Sequence, residues 1–343
     1  MNGIRVGLIG YGHAGAIFHA PLIAAEPRLR LAAVVTSRTE QLAAAFPNVR
    51  AVASVEEMLG DPAIELVVVA SPNTSHVPFA RAALLAGKHV VVDKPFTPTL
   101  TEADALVMLA EERGRLLSVF HNRRWDDGFL TVQQLLERNA LGRLAHYEAH
   151  FDRFRPAIKQ GWREEERRGS GLLYDLGPHL VDQSLVLFGL PRAVTADIAR
   201  QRPDARVDDC FHLVLDYGNL RAVLHAANLV YRPGPAFTLH GDGGSFVKHG
   251  LDPQEAALKE GRRPGQPGWG VAAAEPGILW LADGSERVVE TVPGRYEAYY
   301  AGIAASLRDS APPPVTAHEA RNVMLVLDAA IRSAAERRTV AVI

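Results

Sequence analysis

Three groups of residues in this chain have the types and spacing to do chemistry. The first is Asp93-Lys94-Pro95. A lysine ammonium held beside a reacting oxygen can stabilise the negative charge that develops there. The second is Asp175 and His179, four apart in Leu172-Leu173-Tyr174-Asp175-Leu176-Gly177-Pro178-His179. On a helix that spacing puts both on one face. A carboxylate beside an imidazole fixes its orientation and favours its charged form, which suits a general base taking a hydroxyl proton. The third is Gly10-Tyr11-Gly12-His13-Ala14-Gly15, which fits G-x-G-x-x-G. Each of the first two has a plainer reading. Lys94 can be a surface lysine after a strand. Pro178 fits best in the first turn of a helix, so Asp175 can be a cap residue that only holds the helix start.

The glycine motif has the flanks a dinucleotide turn needs. An apolar run over 4–9 precedes it and a helix-like run over 16–24 follows. In such a turn Gly10 supplies the backbone angles and Gly12 lets a pyrophosphate approach the main chain. Gly15 lets the helix pack close to the strand. The helix N-terminus then faces the phosphates, with Tyr11, His13 and Ala14 in the loop around them. Strand-like and helix-like segments alternate from there: strands over 31–35, 64–70, 89–92 and 116–120, and helices over 40–45, 55–59, 75–86 and 102–113, the last expected to be capped by Thr101. This series predicts a doubly wound parallel sheet. Its strand ends carry Ser71-Pro72-Asn73-Thr74-Ser75-His76 and Asp93-Lys94 to the ligand crevice, so Ser71, Asn73, His76 and Asp93 are expected around the cofactor.

The pattern changes after Phe120. A helix over 127–139, a strand over 144–154, a helix region over 171–187 and strands over 194–199, 210–217, 220–228, 237–240 and 245–248 read as an α+β domain with a largely antiparallel sheet. A short helix over 253–260 and a Gly/Pro-rich loop over 261–270, expected to be mobile, follow. Helices over 296–308 and 317–337 close the chain. The expected domains are therefore 1–121 and 122–343.

The second strand ends Val35-Thr36-Ser37-Arg38, with no carboxylate where an NAD site would place one. Ser37 and Arg38 suit a 2′-phosphate, so NADP is expected ahead of NAD. The plainer reading makes Arg38 a solvated strand-end residue. Asn122 follows the last Rossmann strand and Arg153 a strand of the second domain, and both are substrate-binding candidates. Trp162 fits an aromatic lid or a core position equally well.

Composition removes other classes. The net charge of −2 gives no basic footprint for nucleic acid. The single cysteine, Cys210, excludes an internal disulfide framework and a cysteine zinc site. His240 and His249 have no metal spacing with nearby acids, so no metal is expected. With no leader and no apolar run near the ~20 residues of a membrane helix, a soluble, cytoplasmic protein is expected.

Together these residues resemble the Gfo/Idh/MocA oxidoreductases over nearly the whole chain. Asp93-Lys94-Pro95 is similar to that family's Glu-Lys-Pro motif, with Asp in place of Glu, and Asp175 and His179 match its helix pair. The stretches GYGHAGAIFHAPLI, VFHNRRWDDGFL and GLLYDLGPHLVDQSLVLFG are similar to a bacterial subgroup of NADP-dependent scyllo-inositol dehydrogenases. The resemblance implies a Rossmann domain followed by a domain with a large open sheet. It also implies hydride transfer to or from a cyclic polyol or sugar, with Lys94, Asp175 and His179 as catalytic residues, and a homodimer or homotetramer packed through the sheet's exposed face. An aldose dehydrogenase, a biliverdin-reductase-like enzyme and a catalytically silent NADP sensor are the alternatives.

Overall fold

The computed structural model describes residues 3–158, 161, 164–271 and 276–342. Trp162 lies outside the described residues. The chain separates into two compact units. One comprises 1–122, 254–269 and 295–321, the other 123–253, 270–294 and 322–343. This differs from a cut at 121/122 because two segments from the second half of the chain pack with the first. The reason is aromatic. Tyr296, Tyr299 and Tyr300 are fully buried, with Tyr299 4.9 Å from Phe120 and Tyr296 6.3 Å from Phe18 between ring centres. The Tyr299 hydroxyl lies 2.8 Å from Ser118 Oγ, on the last strand of the parallel sheet.

The first unit holds six strands: β1 (Ile4–Ile9), β2 (Leu29–Val35), β3 (Arg50–Val52), β4 (Leu66–Val69), β5 (His89–Val92) and β6 (Leu117–Val119). Their order is β3-β2-β1-β4-β5-β6, and every pair is parallel. β4 is buried throughout, as expected of a strand covered on both faces. The order reverses between β1 and β4, which sets the ligand crevice beyond the carboxyl ends of these strands. The helix Leu100–Arg113 starts two residues earlier than expected. Thr99, not Thr101, is its cap: its Oγ1 accepts from Glu102 N at 3.2 Å and donates to Glu102 Oε2 at 2.8 Å.

The second unit holds β7 (Leu144–His150), β8 (Ala193–Ala199), β9 (Cys210–Asp216), β10 (Arg221–Ala227), β11 (Phe237–Gly241), β12 (Gly244–Lys248), β13 (Gly277–Leu281), β14 (Glu286–Val289) and β15 (Val340–Ala341). They form one sheet in the order β14-β13-β12-β11-β7-β10-β9-β8-β15. β7 and β10 pair in parallel and the other neighbours are antiparallel. The short strands β3, β13, β14 and β15 were not legible in the sequence, since each gains its order from a neighbour. The helix Leu172–Phe188 packs on β9 and β10. It covers a face made by Tyr147, Ala149, Leu213, Leu215, Ala222 and Leu224, all buried. The opposite face carries the alternate residues of the same strands. The 261–270 stretch forms turns, with its end tied where Trp269 Nε1 donates to Glu297 Oε2 at 2.8 Å. Among the described residues no helix is long and apolar enough to cross a membrane.

Candidate active site

The glycine turn is built as its sequence requires. Gly10 has φ +99°, a left-handed value that favours glycine, and a Cβ there would stand 2.7 Å from the Ala70 carbonyl oxygen. A Cβ on Gly15 would collide with the Gly10 carbonyl oxygen, so the helix could not approach the turn this closely. Gly12 is different in kind: a Cβ there meets no protein atom within 4 Å. The protein itself does not need a glycine at 12, whereas a phosphate lying against the main chain would. The residues therefore fit a dinucleotide. The helix after the turn runs over 13–25, and its middle, Gly15–His19, is π-wound.

Arg38 sits just past the end of β2, where its guanidinium reaches back to the Tyr11 carbonyl oxygen at 3.4 Å. Its main-chain N–H donates to Thr36 Oγ1 at 2.9 Å. Ser37 and Arg38 are exposed, and no acidic side chain stands at this strand end. Burial pushes the Tyr11 phenol up, while the positive charge of Arg263 pulls it down.

The loops after β4 and β5 are tied together. His76 is buried, with Nδ1 2.8 Å from the Pro95 carbonyl oxygen and Nε2 3.0 Å from that of Ser71. Its ring thus braces the Asp93-Lys94-Pro95 turn against the loop after β4. Burial pushes its imidazolium down, against the pull of Asp93. Asn73 is buried as well, and the Ser71 and Ser75 hydroxyls bond one another at 2.7 Å. Asp93 Oδ1 accepts from Lys94 N at 2.8 Å, which fixes the main chain where the lysine emerges.

Sequence reasoning missed His19. It comes from the π-wound turn and is fully buried. Nδ1 lies 2.7 Å from the Tyr300 hydroxyl and Nε2 lies 3.7 Å from Asp93 Oδ1, the second an electrostatic contact beyond hydrogen-bond length. The ring centre is 4.4 Å from that of Phe120. Burial alone would raise the Asp93 carboxyl. The His19 ring, the Lys94 ammonium and His76 outweigh it and hold the group below its ordinary value. The only signal in the sequence was a histidine in an apolar helix, which ordinarily reads as core.

In the second unit the helix Leu172–Phe188 begins after Gly171, so Asp175 lies in its first turn and Pro178 is interior. Asp175 is not the cap. Asp208 does that work: its Oδ2 accepts from Leu173 N at 2.6 Å, its carbonyl oxygen accepts from Leu172 N at 2.9 Å, and a Cβ on Gly171 would collide with its carboxylate. Burial raises the Asp208 carboxyl to about 6, against these two N–H groups. His179 follows Asp175 by one turn and is buried. Arg153 Nη1 donates to Asp175 Oδ2 at 3.3 Å, and its guanidinium lies over the Phe151 ring at 4.7 Å. Arg123 covers the same ring at 4.6 Å. One turn beyond His179, Asp182 holds Arg124 through two bonds of 2.7 and 2.8 Å, and Gln183 Nε2 donates to the Arg123 carbonyl oxygen at 2.8 Å. These contacts fasten the residues after Asn122 to the helix carrying Asp175 and His179. Asn122 itself is buried at the end of the β6 loop.

Comparison with known proteins identifies the family. Residues 4–121 match the oxidoreductase family's NAD-binding Rossmann fold, and residues 133–342 match its C-terminal alpha/beta domain. The chain is 49% identical over 341 residues, 98% of each chain, to the uncharacterized oxidoreductase YdgJ of Escherichia coli (strain K12). It is 44% identical, over 98% of its own length and 95% of the other, to the scyllo-inositol 2-dehydrogenase (NADP(+)) IolW of Bacillus subtilis (strain 168). The solved structure of yvaA from Bacillus subtilis superposes with a TM-score of 0.97 at 43% identity, covering 99% of this chain and 98% of that one. With a six-stranded Rossmann sheet, an Asp-Lys-Pro turn after β5, an Asp175/His179 helix and family matches across both units, the chain belongs to the Gfo/Idh/MocA oxidoreductase family.

Proposed function

We propose that the chain is an NADP-dependent dehydrogenase acting on a secondary alcohol of a cyclic polyol or sugar, of the scyllo-inositol type, or on the matching ketone. The observation that carries the cofactor half is the end of β2, where an exposed guanidinium bonded to the Tyr11 carbonyl oxygen stands in place of an acid. A carboxylate there would repel a 2′-phosphate, whereas a guanidinium offers it charge-assisted bonds. Support for the substrate half comes from the named activity of the Bacillus subtilis relative.

In this reading Gly10, Gly12, Gly15, Ser37 and Arg38 hold the dinucleotide, and Asp93 fixes the turn from which Lys94 emerges. When bound, the nicotinamide supplies the hydride acceptor or donor. His179 takes the hydroxyl proton, Asp175 steadies and charges its imidazole, and Lys94 stabilises the oxygen as its charge develops. Arg153, paired to Asp175, helps hold that carboxylate in place.

The test is a reduced-nicotinamide absorbance screen with inositols and aldoses as substrates, each against NADP and NAD. Turnover of an inositol with NADP at higher kcat/KM than any aldose supports the reading. Aldose turnover moves the substrate class. Tight NADP binding with no turnover of any compound points to a sensor.

A further inference from the structure

The sheet face turned away from the helix Leu172–Phe188 carries a row of histidines. His150 on β7 is opposite His225 on β10, and His225 is opposite His212 on β9. Asp152, two residues past His150, presents its carboxylate on the same side. Neighbouring Arg153 turns instead to Asp175.

The groups in this row are mismatched in a particular way. His150 Nε2 lies 2.6 Å from Glu148 Oε1 and its Nδ1 lies 3.0 Å from Asp152 Oδ2. A neutral imidazole has one N–H and so satisfies only one of the two carboxylates. The second nitrogen then turns a lone pair towards an anionic oxygen. Asp152 adds to the imbalance. Its side chain is 5% exposed, and its Oδ1 is buried with no hydrogen-bond partner. His225 Nε2 stands 3.5 Å from that oxygen. Oxygen and nitrogen lone pairs thus converge from three side chains, and the ligand atoms of His150, Asp152 and His225 all lie within 4.8 Å of one another.

We propose that His150, Asp152 and His225 form a binding site for a divalent transition metal of the zinc type. Zinc at about 2.0–2.2 Å from nitrogen and oxygen in a tetrahedron separates its ligand atoms by about 3.3 Å. Here His150 Nδ1 stands 3.0 Å from one Asp152 oxygen, Oδ2, and His225 Nε2 3.5 Å from the other, Oδ1, so a small turn of the carboxylate presents one oxygen to both rings. The outer contacts fit too. Glu148 accepts from His150 Nε2 and so directs Nδ1 at the ion, the carboxylate–histidine arrangement common behind zinc ligands. His146 Nε2, 3.1 Å from Glu148 Oε2, steadies that carboxylate in turn. Two histidines and one carboxylate leave the fourth position to water. The site is empty in this structure. The spacing of His240 and His249 gave no hint of it, because the ligands come from two strands more than seventy residues apart that only the sheet brings together.

The competing arrangement is a proton on His150. Burial pulls its imidazolium down, but Asp152 and Glu148 outweigh that and hold it above its ordinary value. Metal uptake should therefore release protons and strengthen as pH rises.

The test titrates the untagged full-length chain with Zn(II), followed by calorimetry, and with Co(II), followed by its visible d–d absorption, in wild type, His225→Gln, Asp152→Asn, Glu148→Gln and the same-face control His240→Ala. Circular dichroism verifies the fold of each variant. The expected result is one equivalent of metal in wild type and His240→Ala. His225→Gln and Asp152→Asn should lose the Co(II) band, and Glu148→Gln should bind about 10- to 100-fold more weakly. A wild type that takes up no more metal than folded His225→Gln overturns the proposal and leaves a protonated His150 between two carboxylates. If Asp152→Asn fails to fold, His225→Gln decides the matter, because His225 is half-buried and glutamine is a smaller polar replacement there.

Discussion

Gly12→Ala separates what the fold needs from what the cofactor needs. An added methyl at position 12 meets no protein atom within 4 Å, and the residue is not at positive φ. The chain without cofactor should therefore fold at least as well as wild type. Replacing glycine by alanine at a compatible position stabilises by about 0.4–1 kcal/mol, because it narrows the unfolded ensemble. The same methyl fills the space a pyrophosphate would use. Losing one hydrogen bond from the main chain to a charged oxygen costs about 1.5–3 kcal/mol, or about 10- to 150-fold in affinity. The assay has two parts: thermal unfolding without cofactor, and NADPH affinity by fluorescence or calorimetry. Tm should be unchanged or slightly higher, and affinity should fall by at least an order of magnitude. Gly15→Ala is the contrast, since its Cβ collides with the Gly10 carbonyl oxygen and should lower Tm before any ligand is added. A Gly12→Ala protein that binds NADPH as tightly as wild type would refute the argument that the dinucleotide lies over this glycine.

Arg38→Ala should weaken NADP and barely alter NAD; because the side chain is exposed, the loss should sit near the low end, about 10-fold, and equal losses for both cofactors in kcat/KM would assign Arg38 another job. His179→Ala should lower kcat by about 100- to 10,000-fold with cofactor affinity intact, and Lys94→Ala should lower kcat more than it raises KM; a His179→Ala enzyme within a few-fold of wild type ends its assignment as the base. His19→Phe keeps the packing on Phe120 but strips the Tyr300 hydroxyl of a buried partner and Asp93 of its nearest ring nitrogen, at about 1–3 kcal/mol per buried group. Tm and kcat should both fall, and wild-type values for the two would show that the Asp93-Lys94-Pro95 turn does not lean on His19. Asp208 makes a pH prediction: its folded-state carboxyl sits near 6, above its unfolded value, so the folded chain binds the extra proton and stability declines as pH rises from about 4 to 6. Asp208→Asn should flatten that part of the difference between the two stability–pH curves, and identical curves would show that the carboxyl is not shifted.

The parallel sheet and the positions of its candidate ligand loops were legible from the residues alone. Local rules suffice there. An unbroken apolar strand such as β4 must be buried on both faces, and a glycine turn between a strand and a helix has few uses. The missing acid after β2 was equally legible, because it depends on one strand end. The Asp175/His179 pair was legible as a spacing, but its setting was not. Pro178 pointed to a helix start, whereas Asp208, thirty residues further on, caps that helix and leaves Pro178 in its interior. The tertiary structure decided everything that depends on long-range packing. It took 254–269 and 295–321 into the first unit because three tyrosines needed the apolar surface around Phe120. It set the buried His76 ring between the carbonyl oxygens of Ser71 and Pro95, tying together two loops that are distant in sequence. It brought His19 to Asp93 through a π-wound turn that no periodicity announces. It also set His150, Asp152 and His225 side by side, because strand register is fixed by the whole sheet while sequence spacing reports only on residues within one element.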